Sequence, residues 1–415
     1  MKYNLTFGLL IMISTRMEAQ VKNSPWLQQL VKKEAGPVLR ELLAKPDSFQ
    51  YQLIYTRITR DKKNRPSFEH FYLNVDRDRY FNPASMVKLP TALVAMEKLA
   101  GLAQKGIDRN TPMLTDSAAE GQVQVWTDSS LPGGRPTIGN YVKQVFVVSD
   151  NDSYNRLYEF TGQELLNRRL QEMGYADARI TRRFMRLTED QNRVTNPVRF
   201  AGPDDRMLYS QPMAESRFTF DFSRQWLVGQ AHYDRDDKLV QEPMDFTRHN
   251  FIPLEDLQQM MQSLLFPRSV PATKRWQVPD AGLPWLWQVM SELPFESRYP
   301  RYDTSEFFPS YTKFFFFRDG KRAVPAGLRS FSKAGWSYGF LTEVAYIIDT
   351  VQGVEFMLSG TIYVNPDGVL NDDKYEYENR GYPFFRETGE IIYRYELGRK
   401  RKYRPDLSEF ILTYD

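Results

Sequence analysis

Residues 82–90 read NPASMVKLP, and the interpretation of the whole chain depends on this short stretch. Ser85 and Lys88 stand where an extended segment meets a run rich in Leu, Val, Ala and Met, which predicts a helix to about Gln104. Because positions i and i+3 share one face of a helix, Lys88 can lie beside the Ser85 hydroxyl. A neutral Lys88 amine could take the serine proton, provided that burial and neighbouring charge lower its pKa.

The same S-x-x-K spacing occurs twice more, at Ser310–Lys313 and Ser330–Lys333. Both precede runs with strand-like composition, and in a strand positions i and i+3 point to opposite faces. Only the match at Ser85 opens a predicted helix. The alternative is that Ser85 merely caps this helix, with Lys88 exposed nearby.

Two further motifs follow along the chain. Ser149-Asp150-Asn151 lies between two helical stretches, where a loop can project polar groups into a cleft. Lys333-Ala334-Gly335 lies on a predicted strand, and its glycine would let a substrate approach the strand backbone closely.

The order SMVK, SDN, KAG resembles the serine β-lactamase and penicillin-binding protein superfamily, and class A β-lactamases most of all. The resemblance covers roughly residues 25–400. It implies an α+β (α/β sandwich) fold of the β-lactamase/transpeptidase type. In that fold an antiparallel sheet from the N- and C-terminal segments is flanked by helices, and a mostly helical lobe is inserted.

The resemblance also implies catalytic roles. Ser85 would be the acylated nucleophile and Lys88 its general base or proton relay. Ser149 would pass a proton to the leaving nitrogen, and Asp150 would shape the loop. No metal and no organic cofactor is implied.

Substrate-binding roles follow from the same resemblance. Asn151 would hold Lys88 and a substrate amide, and Lys333 would offer positive charge to a substrate carboxylate. Gly335 would keep the strand accessible, and the backbone amides of Ser85 and Trp336 would form the oxyanion hole.

Ala334 is one departure from the family pattern, because it replaces the hydroxyl residue that helps to grip the substrate carboxylate. Ser337 is a possible substitute, although it sits elsewhere on the strand. With this hydroxyl missing, the mode of carboxylate binding stays open.

The deacylating glutamate is a second departure, because class A enzymes carry it with an asparagine four residues later. Glu189 has Asn192 only three residues later, and Glu242 has Phe246 at the asparagine position. These two glutamates are the deacylation candidates, against the alternative that both are solvated surface residues. Acylation of Ser85 is therefore better supported than rapid hydrolysis of the acyl-enzyme.

These observations predict an exported serine hydrolase that acts on an amide or ester carbonyl through an acyl-Ser85 intermediate. Its substrate would be a β-lactam, a cell-wall peptide or another small acyl compound. One alternative is a D-Ala-D-Ala peptidase of the penicillin-binding type, and another is a binding protein that keeps the fold without turnover. Residues 335–339 also match G-x-S-x-G, but strand-like sequence follows and no histidine lies beyond His249, which excludes an α/β-hydrolase elbow.

Composition excludes several other classes of protein. The 415 residues include no cysteine and three histidines, which excludes disulfides and thiolate catalysis and makes a multi-histidine metal centre improbable. The net charge is +3 with 26% charged residues, which does not indicate a nucleic-acid-binding face.

Near the start of the chain, Lys2 is followed by a short apolar run, Leu5 to Ile13. This pattern is typical of a signal peptide over residues 1–20. A periplasmic or secreted location follows from this prediction. No stretch of the remaining chain approaches the ~20 apolar residues of a membrane helix, so no integral membrane segment is expected in the mature protein.

The mature chain, residues 21–415, is predicted as one domain with a helical lobe at about 105–265 and an enlarged insertion at about 180–250. Patterning predicts one helix over residues 24–46 and two strands before Ser85, with Thr137 capping a later helix. Three strands follow Arg329, then a C-terminal helix, and the FFFF run at 314–317 is predicted as a buried strand.

Overall fold

The computed structural model describes residues 20–414. The predicted leader lies, but for residue 20, outside the described residues. Within residues 20–414, no helix is both long enough and apolar enough to cross a bilayer.

Eleven α-helices are found in the described part of the chain, and short 3₁₀ or π turns lie between them. The helices are α1 Pro25–Glu34, α2 Pro37–Ala44, α3 Pro46–Phe49, α4 Lys88–Ala100, α5 Ile138–Val147, α6 Asn151–Thr161, α7 Gln163–Glu172, α8 Glu189–Arg193, α9 Leu254–Leu265, α10 Leu283–Ser291 and α11 Tyr382–Gly398.

Fifteen strands accompany them in the same residues. They are β1 Gln52–Arg60, β2 Pro66–Leu73, β3 Met113–Thr115, β4 Val194–Thr195, β5 Val198–Ala201, β6 Met207–Gln211, β7 Ala214–Glu215, β8 Leu227–Val228, β9 Ala231–Tyr233, β10 Leu239–Val240, β11 Met244–Asp245, β12 Leu328–Ser337, β13 Phe340–Asp349, β14 Val354–Tyr363 and β15 Val369–Leu370.

The main sheet is antiparallel and joins the two ends of the chain. Its strand order is β12-β13-β14-β1-β2, so β1 pairs with β14, for example Gln52 opposite Thr361. The predicted antiparallel sheet from N- and C-terminal segments is confirmed. β12 is an edge strand, and it carries Lys333-Ala334-Gly335.

Helices cover both faces of this sheet, because alternate residues of each strand face opposite sides. Leu53 and Tyr55 of β1 belong to an apolar cluster with residues of α1, α2 and α11. Ile54 and Ile58 belong to the other cluster, which includes α4, α5 and α9. The central strand β13 is buried along its whole length, as a strand covered on both faces must be.

Two predicted elements differ from the structure. The single helix expected over residues 24–46 is broken into α1, α2 and α3, each of which starts at a proline, where a helix can begin but not continue. The FFFF run forms a kinked π turn, Phe314–Arg318, in which Phe316 has a φ of +71°. Its rings are buried as expected, but the backbone is not a strand.

The middle of the chain is less helical than expected. Residues 194–245 form eight short strands, β4 to β11, in place of helices. The predicted hairpin around residues 235–237 is present as the pairing of β9 with β10. Earlier in the chain, the predicted helix capped by Thr137 forms as α5. The Thr137 hydroxyl accepts a hydrogen bond from Asn140 N at 3.0 Å.

Candidate active site

The turn that opens α4 places Ser85 and Lys88 side by side. Ser85 lies in the 3₁₀ turn Ala84–Val87, and α4 begins at Lys88. Lys88 Nζ is 2.8 Å from Ser85 Oγ. Ser85 is partly exposed and Lys88 is fully buried, so the hydroxyl meets the cleft while the amine lies beneath it.

Lys88 is surrounded by neutral oxygen atoms. Its Nζ is 2.7 Å from Asn151 Oδ1 and 2.5 Å from the Ser149 carbonyl oxygen. Burial disfavours the charged amine and lowers the pKa of Lys88 to about 7, although Asp150 acts in the opposite direction. A substantial share of Lys88 is therefore neutral near pH 7 and able to accept a proton.

Ser149 lies between two lysines. Its Oγ is 3.3 Å from Lys88 Nζ and 2.9 Å from Lys333 Nζ. The backbone of Ser149 is left-handed, with a φ of +61°, which is uncommon for a residue with a side chain and is found mainly where surrounding structure enforces it. The Asp150 side chain accepts a bond from Ser153 N at 2.7 Å and so caps α6, which fixes this turn.

Lys333 reaches the site from the edge strand β12. It is fully buried, and its Nζ donates to the Ala334 carbonyl oxygen at 2.6 Å. Burial, with the charges of Lys88 and Lys313, lowers the pKa of Lys333 well below its ordinary value. Burial therefore opposes the positive charge that the resemblance implies at this position.

Gly335 lies in close contact with the turn that carries Ser85. A Cβ atom there would lie 2.8 Å from both Pro83 O and Ser85 N. The missing side chain lets β12 pack directly against this turn.

Ala334 points away from the cleft. It is fully buried in the apolar cluster beneath α11, and alternation places it on the face opposite Lys333 and Gly335. A hydroxyl at this position would be buried among apolar side chains. Ser337, the possible substitute, does line the cleft.

The cleft has a volume of about 620 Å³ and contains Ser85, Ser149, Asn151 and Trp336 in its lining. Aromatic rings form much of the remaining wall: Phe184, Tyr311, Tyr338, Tyr375 and Tyr377. The Phe184 ring centroid is 5.3 Å from Lys88 Nζ. Three of the predicted motifs thus meet at one cavity.

The structure does not bring either deacylation candidate to this cavity. Both Glu189 carboxylate oxygens accept from Arg248 Nε, at 2.6 and 2.8 Å. Glu242 is exposed, and neither glutamate is among the lining residues. Among the described residues, the acidic side chain in the lining is that of Asp373, which is exposed.

Sequence reasoning missed Phe184 and Arg182, which line the cleft; the Phe184 ring is the one close to Lys88. Both come from the loop after α7, whose local sequence carries no motif. Its position is set by distant contacts, such as Thr181 N to Asn250 Oδ1 at 2.7 Å.

Comparison with known proteins agrees with this geometry. A family described as the β-lactamase enzyme family matches residues 39–214, which include Ser85, Lys88, Ser149 and Asn151. The chain is a serine hydrolase that is similar to this family over the matched residues. The match ends before Lys333, so the strand lysine of this β-lactamase-like protein is placed by the structure alone.

The β-lactamase-like chain is also similar to solved structures. A β-lactamase from Sphaerobacter thermophilus is 15% identical, with a TM-score of 0.45, over 87% of this chain and 96% of that one. A β-lactamase from Burkholderia vietnamiensis is 14% identical, with a TM-score of 0.46, over 89% and 94% of the two chains. No match was found among curated proteins.

Proposed function

We propose that the protein forms an acyl-Ser85 intermediate with a β-lactam or a related amide or ester, as a class A β-lactamase-like enzyme. The observation that carries this proposal is the 2.8 Å contact between a buried Lys88 amine of lowered pKa and a partly exposed Ser85 hydroxyl. A helix cap with an exposed lysine would show neither the burial nor the contact.

In the first step the Ser85 O–H proton moves to the neutral Lys88 nitrogen as Ser85 Oγ bonds to the substrate carbonyl carbon. The carbonyl oxygen gains negative charge. The Asn151 amide orients Lys88, since its Oδ1 is 2.7 Å from Nζ.

The developing oxyanion needs donors. The Ser85 amide lies against β12, as the 2.8 Å distance to the Gly335 Cβ position indicates, and Trp336 is the next residue of that strand. β12 is an edge strand, so alternate N–H groups along its outer side lack a strand partner. These features support the amides of Ser85 and Trp336 as the oxyanion hole.

In the second step the bond from the carbonyl carbon to the leaving nitrogen breaks, and that nitrogen takes up a proton. Ser149 Oγ can deliver it, because it stands within 3.3 Å of Lys88 Nζ. The Lys88 proton passes to Ser149 as the Ser149 hydroxyl proton passes to the leaving group. Lys333, whose Nζ donates to Ser149 Oγ at 2.9 Å, holds the Ser149 oxygen in place.

The site gives less support to hydrolysis of the acyl-enzyme than to its formation. A deacylating water needs a base, and the wall beside Lys88 is the Phe184 ring rather than a carboxylate. This observation favours a second candidate function, a D-Ala-D-Ala peptidase of the penicillin-binding type with a long-lived adduct. The non-catalytic binding protein has weaker support, because the Ser85 and Lys88 atoms are already arranged for proton transfer.

Intact mass measurements with a fluorescent penicillin and a chromogenic cephalosporin test the proposal. Addition of one acyl group to the wild-type protein, absent in Ser85→Ala, is the expected result. Ser149→Ala should slow acylation by about 10²–10⁴-fold, the usual contribution of a proton-transfer group. Fast colour release supports a β-lactamase, and a persistent adduct supports the peptidase. No adduct with either compound, nor with a fluorophosphonate, would contradict the serine hydrolase proposal.

We propose export as well, on the strength of the leader sequence alone. Protein recovered from a periplasmic fraction should then lack about the first 20 residues by intact mass. A full-length chain retained in the cytoplasm would contradict export and leave the chemistry of Ser85 unaffected.

A further inference from the structure

The cleft has two chemically different ends. At one end Ser149 and Lys333 stand where the leaving group is protonated. β12 then runs past Ser85 to Ser337, about 13 Å from Lys333 at the usual rise per residue. Tyr338 and Arg182 line this far end, and the electrostatic neighbours of Arg182 include Tyr338 but not Lys333. Arg182 therefore faces the side of the cleft that receives the acyl part of a substrate.

Arg182 makes no salt bridge in the described part of the chain, although the charge of Glu189 acts on it. Within residues 20–414, no hydrogen bond or ion pair reaches its guanidinium, although the side chain is more than half buried. Its neighbours in sequence differ, since Arg183 bonds to Glu159 at 3.1 Å and Arg186 is exposed. A partly buried guanidinium without a partner is costly unless a ligand supplies the acceptor.

The backbone around Arg182 is firmly held. Arg182 N donates to Asn250 Oδ1 at 3.3 Å, and its carbonyl oxygen accepts from Tyr154 OH at 2.8 Å. Phe184 N donates to Asn155 Oδ1 at 2.8 Å. The guanidinium is thus carried on a loop whose backbone is held by hydrogen bonds. A fixed loop loses less conformational entropy when a ligand binds.

The charged groups near Arg182 form no ion pair with its guanidinium in the described part of the chain. Burial and the charges of Arg182 and Arg179 lower the pKa of His249 to about 3, so His249 is neutral. The charge of Glu189 acts on Arg182, but both Glu189 carboxylate oxygens are bonded to Arg248. Asp373 lines the cleft from the exposed loop that precedes Tyr375, and it is not among the electrostatic neighbours of Arg182.

We propose that Arg182 binds a carboxylate on the acyl portion of the substrate, so that the protein selects acyl donors carrying a negative charge on that side of the scissile bond. This proposal rests on the proposed acylation of Ser85. The planar guanidinium matches a carboxylate with two parallel hydrogen bonds. Arg182 also adds anion recognition away from β12, on which Ala334 lacks a hydroxyl group and burial lowers the pKa of Lys333.

Benzylpenicillin and carbenicillin test the proposal, because they differ by one carboxylate on the acyl side chain. Second-order acylation rate constants of Ser85 would be measured by time-resolved intact mass. Carbenicillin should react roughly tenfold to a hundredfold faster than benzylpenicillin, the range expected for a charge-assisted pair. Arg182→Gln should reduce this ratio to about one, and Arg182→Lys should keep part of it. Arg186→Gln, an exposed cation on the same loop, should leave the ratio unchanged.

A second readout does not need acylation. Phenylmalonate, the acyl fragment of carbenicillin, should raise the melting temperature of Ser85→Ala by more than phenylacetate, which carries one carboxylate fewer. Adding Arg182→Gln should remove this shift. If neither penicillin acylates Ser85 but phenylmalonate binds through Arg182, the proposed reaction fails and the anion site stands. Equal rates for the two penicillins, or a phenylmalonate shift unchanged by Arg182→Gln, would overturn the inference.

Discussion

At the scale of single residues, Lys88 determines when Ser85 can react. Its amine must be neutral to accept the serine proton, and burial brings its pKa to about 7. Below that pH the protonated form dominates and the base is lost. Above that pH the neutral form dominates, and the acylation rate constant no longer changes with the titration of Lys88.

We therefore expect the acylation rate constant with benzylpenicillin to rise about tenfold per pH unit below the midpoint and to level above it, with an apparent pKa near 7. The measurement is intact mass against time between pH 5.5 and 8.5. Lys98→Met is the matched control, since Lys98 is a partly buried lysine of the same helix, with a pKa lowered to about 8, outside the cleft. A flat profile, or a midpoint moved by Lys98→Met, would rule out Lys88 as the base.

The motif residues could be predicted from sequence, but Arg182 could not. Ser85, Lys88 and Ser149 are marked by spacing that only their chemistry requires. Arg182, Arg183 and Arg186 stand in one short run, and sequence does not distinguish them. Their environments differ because Glu159, on a helix earlier in the chain, pairs with Arg183, whereas Arg186 is exposed to solvent.

At the scale of elements, the contact between β12 and the 84–87 turn sets the geometry of the site. Gly335 permits this contact, and its Cβ position is 2.8 Å from backbone atoms of Pro83 and Ser85. Backbone atoms cannot rotate away as the end of a flexible side chain can. A methyl group here must push the strand and the turn apart.

Gly335→Ala should therefore lower the acylation rate constant at least tenfold and the free energy of unfolding by about 1–3 kcal/mol, the usual effect of overpacking. Intact mass kinetics and urea unfolding would measure the two effects. Gly133→Ala is the control, because a Cβ there meets nothing within 4 Å. Wild-type kinetics in Gly335→Ala would mean that the close approach is irrelevant to catalysis.

Elements with clear periodicity were predictable and the FFFF run was not. β13 and β14 are rich in β-branched and aromatic residues over ten positions each, which favours strands. Four phenylalanines in a row are equally apolar in a strand and in a helical turn. The turn forms because all four rings pack between the sheet and α11, in the cluster that contains Phe356 and Phe385.

At the scale of the whole molecule, buried lysines make stability depend on pH. Burial lowers the pKa of Lys88 to about 7 and of Lys98 to about 8. In the unfolded chain both return to their ordinary value near 10.4. Between these limits the unfolded state binds more protons than the folded one, so the free energy of unfolding must increase with pH.

The buried carboxylates act in the opposite direction at lower pH. Burial raises the pKa of Glu159 and of Glu343 to about 7, so between their ordinary value and that pH the folded state binds more protons. Stability falls as pH rises over that range. Together, the two lysines and the two glutamates predict a minimum in the free energy of unfolding near neutral pH. The sequence alone could not predict this minimum, because the burial of these groups depends on the complete fold.

Urea unfolding at pH 7.5, 8.5 and 9.5 should therefore show a rising free energy, with each buried lysine adding at most about 1.4 kcal/mol per pH unit. Lys98→Met should reduce this slope and leave acylation of Ser85 intact, because Lys98 lies outside the cleft. Lys88→Met should reduce the slope and abolish acylation. The comparison uses slopes rather than absolute stabilities, so the lost hydrogen bonds of either lysine do not obscure it. A slope equal in all three proteins would show that neither lysine is neutral in the folded state, and the proton-transfer role of Lys88 would fail with it.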